Sequence, residues 1–379
     1  MLLESLIISL LYVLLISFPS NTNCLILSHH HHHKHHPLNS LFIFGDSILD
    51  VGNNNYINTT TLDQANFSPY GVNFFHYPTG RFSDGRVISD FIAERANLPL
   101  IQPYLQPGRR RFYYGVNFAS AGGGALVETF KGSVIDLHMQ LKNYKKVERW
   151  FKNKLRDKKT KRRFKKAVYF FGIGTNDYIS LFLTNSSTRF TFTKSQYVSM
   201  VISNITSVVN DIYKIGGRKF GFLNLPPVGC LPALRILNSE GDSGCHKEVT
   251  SYIRLHNKAI LQGLKELEKQ LPGFKYALFD YYTSTLQRVN HPSKYGYKEG
   301  KTACCGTGKF RGVLSCGGKR PVKEYELCNN VDDHIFWDSL HYTEKANKQI
   351  VDEMWSNINY GLDDFHRSSY TINNLFHLP

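Results

Sequence analysis

The sequence contains one long apolar run, no C-x-x-C pair, no P-loop and no G-x-G-x-x-G opening a helix. A single such run, with a mean hydropathy of −0.30, excludes a multi-span membrane protein. Without the glycine fingerprints, phosphate-cradling nucleotide folds are disfavoured. The cysteine spacing offers no zinc-ribbon pattern. Internal repeats are absent, as is any long Pro/Ser linker beyond Pro37. The basic charge is not accompanied by base-reading motifs, which argues against a nucleic-acid partner.

The 379 residues are 42% hydrophobic and 13% aromatic, enough for a substantial core, so wholesale disorder is excluded. The net charge of +16 is concentrated: Lys142–Lys166 holds 14 Lys/Arg against 2 acidic residues, leaving only +4 for all the rest. The molecule reads as a near-neutral globule with one basic segment. Its apolar residues Leu137, Leu141, Tyr144, Val147, Phe151 and Leu155 recur at helical spacing. The segment is therefore expected to be a helix packed on a sheet. Its cationic outer face would dock on an anionic membrane or acidic cell-wall polymer.

Leu6–Phe18 is almost wholly apolar, too short to span a bilayer but suited to a signal-peptide core. Glu4, and the lack of Lys or Arg ahead of the run, depart from the usual pattern. Residues 1–24 are expected to be a cleaved signal, 25–38 a His-rich linker and 39–379 a single domain. Sequons occur at Asn58, Asn66, Asn185 and Asn204. Beyond Cys24 the cysteines are Cys230, Cys245, Cys304, Cys305, Cys316 and Cys328, an even set that fits disulfides. Adjacent Cys304 and Cys305 are poor partners on geometric grounds. If Cys230 pairs with Cys245, two ways remain to join the adjacent pair to Cys316 and Cys328. These features point to a secreted, extracellular protein.

Short continuous apolar runs at Leu41–Phe44, Tyr114–Phe118, Ala167–Phe171, Phe220–Leu223 and Tyr276–Phe279 read as strands buried on both faces. Helical patterns separate them: from Leu137, over Ser195–Tyr213, from Val249 and from about Thr343. The expected fold is α/β, a three-layer α/β/α sandwich with a mostly parallel five-stranded sheet. Ligands in such folds sit at the carboxyl ends of the strands.

Four pieces near those ends carry chemistry. Ser47 follows Phe42-Ile43-Phe44-Gly45-Asp46, where an exposed nucleophile belongs. Asp338 and His341 are three apart, which on a helical turn would share a face, the carboxylate fixing the imidazole tautomer. Ala119–Gly124 offers backbone N–H groups on a glycine-rich loop. Asn176, in Gly172–Asp177, adds an amide donor for a tetrahedral oxyanion. Ser120 is a competing nucleophile, but an elbow would need glycine where Phe118 stands.

Together the strings FIFGDSILDVGNNNY, PTGRFSDGRVISDF, VNFASAGGGALVET, FGIGTNDY, KFGFLNLPPVGC, ACCGTGKFRG and FWDSLHYTEKAN resemble the GDSL esterase/lipase family of the SGNH hydrolases, in its secreted plant branch. The resemblance implies a flavodoxin-like fold, serine ester hydrolysis with no metal or cofactor, and a location in the apoplast or cell wall. It implies Ser47 as nucleophile, His341 as base and Asp338 as its orienting partner. Gly122, Asn176 and the Ser47 N–H would form the oxyanion hole, and Asp46 would shape the turn. Ile48, Tyr342 and Val127 depart from the family pattern at the lip of the pocket without removing a catalytic atom. The acyl substrate stays open among lipid, cutin-type ester and acetylated sugar, with lipid degradation and defence as implied roles. Two rivals stand beside hydrolysis: a basic binding or defence protein that needs no catalysis, and an acyltransferase.

Overall fold

A computed structural model describes residues 39–108, 112–184, 191–239, 243–356 and 370–379. The chain divides into a unit ending at Pro37 and one running from Leu38 to Pro379. The signal and linker expectations, and Asn185, lie outside the described residues.

Five strands form one sheet: β1 (Leu41–Gly45), β2 (Gly115–Asn117), β3 (Val168–Gly172), β4 (Lys219–Leu223) and β5 (Lys275–Phe279). Their order is β2-β1-β3-β4-β5, and every pairing is parallel. The expectation of a mostly parallel sheet is thus met by an all-parallel one, in the doubly wound order whose ligand sites lie at the carboxyl edge. All residues of β1, β3 and β4 are buried, the reason these strands are continuous apolar runs rather than alternating ones.

The two faces differ in how they fill. On one, aromatic rings stack in register across strands: Phe42 on Tyr169 and Tyr169 on Phe220, each at 5.4 Å. Phe44 stacks on Phe171 at 4.9 Å and Phe171 on Phe222 at 5.2 Å. Tyr144, from the helix that covers this face, packs edge-on against Phe42 and Phe44 and shares a hydroxyl hydrogen bond with Tyr169. On the other face Gly221 leaves room for Ile372.

The helices used below are α1 (Ile88–Arg95), α2 (Leu137–Lys166), α3 (Thr175–Leu183), α4 (Lys194–Ile215), α5 (Lys247–Gln270), α6 (Tyr281–Asn290), α7 (Glu344–Ser356) and α8 (Ile372–His377). Helices α2, α4 and α5 pack side by side, while α7 packs against α1, α6 and α8. Asp136 caps α2 by accepting the Met139 N–H, and a Thr193/Gln196 capping box opens α4. The apolar stripe through Leu155 is helical as its spacing requires. At Arg156 the backbone turns to φ 64°, ψ 166°, and a second helical stretch runs on to Lys166.

The disulfides are Cys230–Cys245, Cys304–Cys328 and Cys305–Cys316. Of the two arrangements left open by the sequence, folding selects the one that joins Cys304 to Cys328 and Cys305 to Cys316. Cys304, Cys305 and Cys316 pack with Phe67, Tyr70, Phe82 and Trp337 in a second small core. Asn58 and Asn66 are exposed. The Asn204 side chain is half-buried on α4, donating to Met200 O and meeting His138.

Candidate active site

β1 ends at Gly45, where a Cβ would lie 2.5 Å from Gly172 O, so only glycine lets β1 and β3 close up at this edge. Gln140, on α2, clamps the same residue, accepting the Gly45 N–H at 2.9 Å and donating to Gly45 O at 2.8 Å. The chain then turns: Asp50 N–H reaches Asp46 O, and Asp46 Oδ1 accepts the Ile48 N–H. Ser47 sits on this turn, nearly buried at 9% exposure.

His341 reaches it from the other end of the chain, with Nε2 2.7 Å from Ser47 Oγ. Its Nδ1 donates to Asp338 at 2.7 Å (Oδ1) and 2.9 Å (Oδ2). That bond assigns the proton to Nδ1 and leaves Nε2 to accept from the Ser47 hydroxyl. Asp338 Oδ1 also accepts the Leu340 and His341 N–H groups, both at 2.8 Å, and Oδ2 accepts from the Tyr70 hydroxyl at 2.7 Å. Burial alone would raise this carboxyl. The charge of His341 when it is protonated, and these hydrogen bonds, outweigh burial and hold it at about 2. Phe82 lies against the imidazole, ring centres 4.6 Å apart.

Asp338 and His341 do not lie on a helix, as their spacing suggested. They form a turn ahead of α7, bracketed by the Phe336–Tyr342 bridge. The reason is local. A carboxylate that collects the next backbone N–H groups offers the chain an alternative to the helical ladder.

Asn176 stands at the N-terminus of α3, entered through Gly174 at φ 120°. Its amide donates to Gly123 O at 3.0 Å, which leaves a second N–H for a ligand. Ser47, His341 and Asn176 line one cleft with Ile48, Ile179 and Leu231. Gly122 is not among its lining residues; it sits in the adjoining turn that the Gly123 N–H closes onto Ser120 O. Among the described residues, no intramolecular acceptor takes the Ser47 N–H. Ser120 is fully buried, donating to Asn54 Oδ1 and accepting the Ile135 N–H, so its hydroxyl is spent on the loop.

Several residues that sequence reasoning missed hold this geometry. Asp50 accepts the Gly52, Asn53 and Ala121 N–H groups. Asp177 accepts those of Ala125 and Leu126 and the Thr129 hydroxyl. Gln140 had a faint signal, as a polar residue between Leu137 and Leu141 on an apolar stripe. Tyr70 had none.

A seryl hydroxyl, an imidazole and a carboxylate thus stand in line at the carboxyl edge of an α/β sheet. Residues 41–354 match the model of the GDSL-like Lipase/Acylhydrolase family. GDSL esterase/lipase 5 of Arabidopsis thaliana is 57% identical over 341 residues, covering 90% of this chain and 88% of its own length. GDSL esterase/lipase 1 of the same plant is 52% identical, covering 84% and 86%. A GDSL lipase of Tanacetum cinerariifolium is 46% identical, covering 83% of each. The chain belongs to the GDSL lipase/acylhydrolase family and is a carboxylic ester hydrolase.

Asp46 generates a test. Burial, reinforced by the Asp177 and Asp50 charges, pushes its carboxyl up to about 7, and Oδ2 has no hydrogen-bond partner. A folded-state acid raised this way binds its proton more tightly than the unfolded chain does, so its ionisation weakens the fold as pH climbs from about 4 to 7. Asn cannot ionise. The Asp46→Asn melting temperature, relative to wild type, should therefore rise between pH 5 and pH 8. A difference independent of pH would show that Asp46 is ionised throughout.

Proposed function

We propose that Ser47, His341 and Asp338 form a catalytic triad that hydrolyses carboxylic esters through an acyl-enzyme. The observation carrying this reading is the unbroken line from Ser47 Oγ to His341 Nε2 and from Nδ1 to Asp338. His341 takes the hydroxyl proton as Ser47 attacks the acyl carbon. The developing oxyanion is met by the Ser47 N–H and the free N–H of Asn176; Gly122, expected as a third donor, does not line this cleft. His341 then returns the proton to the departing alcohol. Water repeats the sequence to release the acid.

The substrate follows from the cleft. Its volume is only about 20 Å³, and its walls are Ile48, Ile179, Leu231 and Leu340. Such a space holds about one water molecule, so even a short acyl group enters only with some yielding of these walls, and a longer chain needs more. That difference favours short acyl esters over long-chain lipids. Lipid breakdown and defence, the roles implied by the resemblance, would both act through this one deacylation. We place the protein outside the cell, on its three disulfides and two exposed sequons.

The basic segment would serve as a second, non-catalytic attachment. Lys158, Lys159, Lys161 and Arg162 are exposed near the end of α2, and the charges of Lys165 and Lys166 depress the Lys219 ammonium after burial does. Lys219 begins β4, so this end of α2 lies at the amino edge of the sheet, opposite Ser47. Arg163 belongs to the packing instead: it donates to Tyr113 O and lies over the Tyr113 and Phe151 rings.

Ser47→Ala and His341→Ala should each lower turnover by about 10⁴-fold or more, and their combination should be no worse than either. Asn176→Ala should cost roughly 10²–10³ in kcat with little change in KM. Near-normal turnover by Ser47→Ala would overturn the assignment. Across p-nitrophenyl esters, acetate should exceed palmitate in kcat/KM, and Leu231→Ala should move the preference toward longer chains; a wild-type enzyme preferring palmitate would refute the short-acyl reading. Changing Lys158, Lys159, Lys161 and Arg162 to Glu should leave p-nitrophenyl acetate hydrolysis intact while weakening adsorption to anionic vesicles or polygalacturonate. Unchanged adsorption to both would leave the segment as a solvated face.

A further inference from the structure

Asp338 is held from behind by a second chain of donors. The Tyr70 hydroxyl that donates to Asp338 Oδ2 accepts in turn from Arg320 Nη2 at 2.9 Å. Both residues are buried, Tyr70 at 1% and Arg320 at 4% exposure. A buried guanidinium is costly to desolvate, and one with a direct carboxylate partner recovers much of that cost. Arg320 makes no ion pair among the described residues. It donates to Thr61 O and to Tyr70, and the rings of Phe67, Tyr70 and Phe82 surround it. Its charge acts on Asp63, and the Tyr70 hydroxyl stands between it and Asp338.

The segment carrying Arg320 is tied to the catalytic turn by a disulfide and backbone hydrogen bonds in series. Cys316, four residues earlier, is joined to Cys305, whose N–H donates to Trp337 O at 2.7 Å, next to Asp338. Cys304 N–H donates to Phe336 O at 2.9 Å, and Cys304 is joined to Cys328. Two disulfides and two backbone hydrogen bonds therefore join the Arg320 segment to the stretch of chain that leads into the Asp338–His341 turn.

We propose that Arg320 and Tyr70 are positioning residues, a relay that aims the Asp338 carboxylate and sets how readily His341 takes a proton. The proposal rests on the triad reading above. Every donor in the series points the same way, Arg320 to Tyr70, Tyr70 to Asp338. The phenol thus competes with the imidazole for Asp338 Oδ2, and the guanidinium opposes a charged imidazole from behind. Removing either should favour the imidazolium and move the acid limb of the kcat profile to higher pH. The loosened carboxylate should also lower kcat without altering substrate binding.

The variants are Tyr70→Phe, Arg320→Gln and Arg320→Lys, with p-nitrophenyl acetate as probe across pH and melting temperatures measured alongside. Tyr70→Phe and Arg320→Gln should lose about tenfold in kcat, keep KM within about twofold, and shift the acid limb upward by several tenths of a pH unit. Arg320→Lys, which keeps the charge, should lie closer to wild type in the limb. A purely structural role would lower the melting temperature and leave the limb in place, and that result in Tyr70→Phe overturns the relay. Should Arg320→Gln fail to fold, Tyr70→Phe decides alone, since its ring keeps the packing on Phe67 and Trp337. The two readings fail separately. A wild-type limb in Tyr70→Phe with Ser47→Ala inactive removes the relay only, whereas an active Ser47→Ala removes the triad.

Discussion

Parallel pairing of β1 with β3 forces both strands to leave the sheet at the same edge. Gly45 and Gly172 face each other there in register, and neither has a side chain to hold the turns apart. Everything that follows them is delivered to one place: Ser47 two residues beyond β1, Asn176 four residues beyond β3. The sheet is covered on both faces, so its carboxyl edge is where polar groups can gather without being sealed in hydrocarbon. His341 arrives on the loop before α7, and α7 packs against α1, which holds that loop to the rest of the molecule.

Buried carboxylates finish the arrangement. Asp50 and Asp177 grip the glycine-rich loop from two sides, each through backbone N–H groups that loops rarely satisfy on their own. Asp338 does the same for its own turn while orienting the imidazole. Such groups are costly to bury singly, yet each converts a flexible segment into one with a fixed set of acceptors. The result is a site whose hydrogen-bond donors are held in place by the fold, which suits the proposed stabilisation of a transition-state charge.

The strands were legible because burial on both faces leaves short apolar runs, and their ends agree with the observed ones to within a residue. The long helices were legible through their apolar stripes. Asp338 and His341 were legible as a pair but not as a turn, since the spacing of three fits a helix equally well. Tyr70 and Arg320 were not legible at all. They lie 250 residues apart, and a tyrosine among many, or an arginine in a basic chain, carries no local mark of what it touches.

Sequence alone determined the architecture, the family and the residue types able to act on an ester, because these follow from periodicity and from short motifs whose chemistry is local. Tertiary structure decided what depends on distance through space. It chose between two disulfide pairings, aimed Asn176 at Gly123 and the cleft, spent the Ser120 hydroxyl on its own loop, and set Arg320 behind Asp338. Each of these is fixed by side chains far apart in the chain meeting in a dry interior, where hydrogen-bonding groups must find partners wherever the fold has put them.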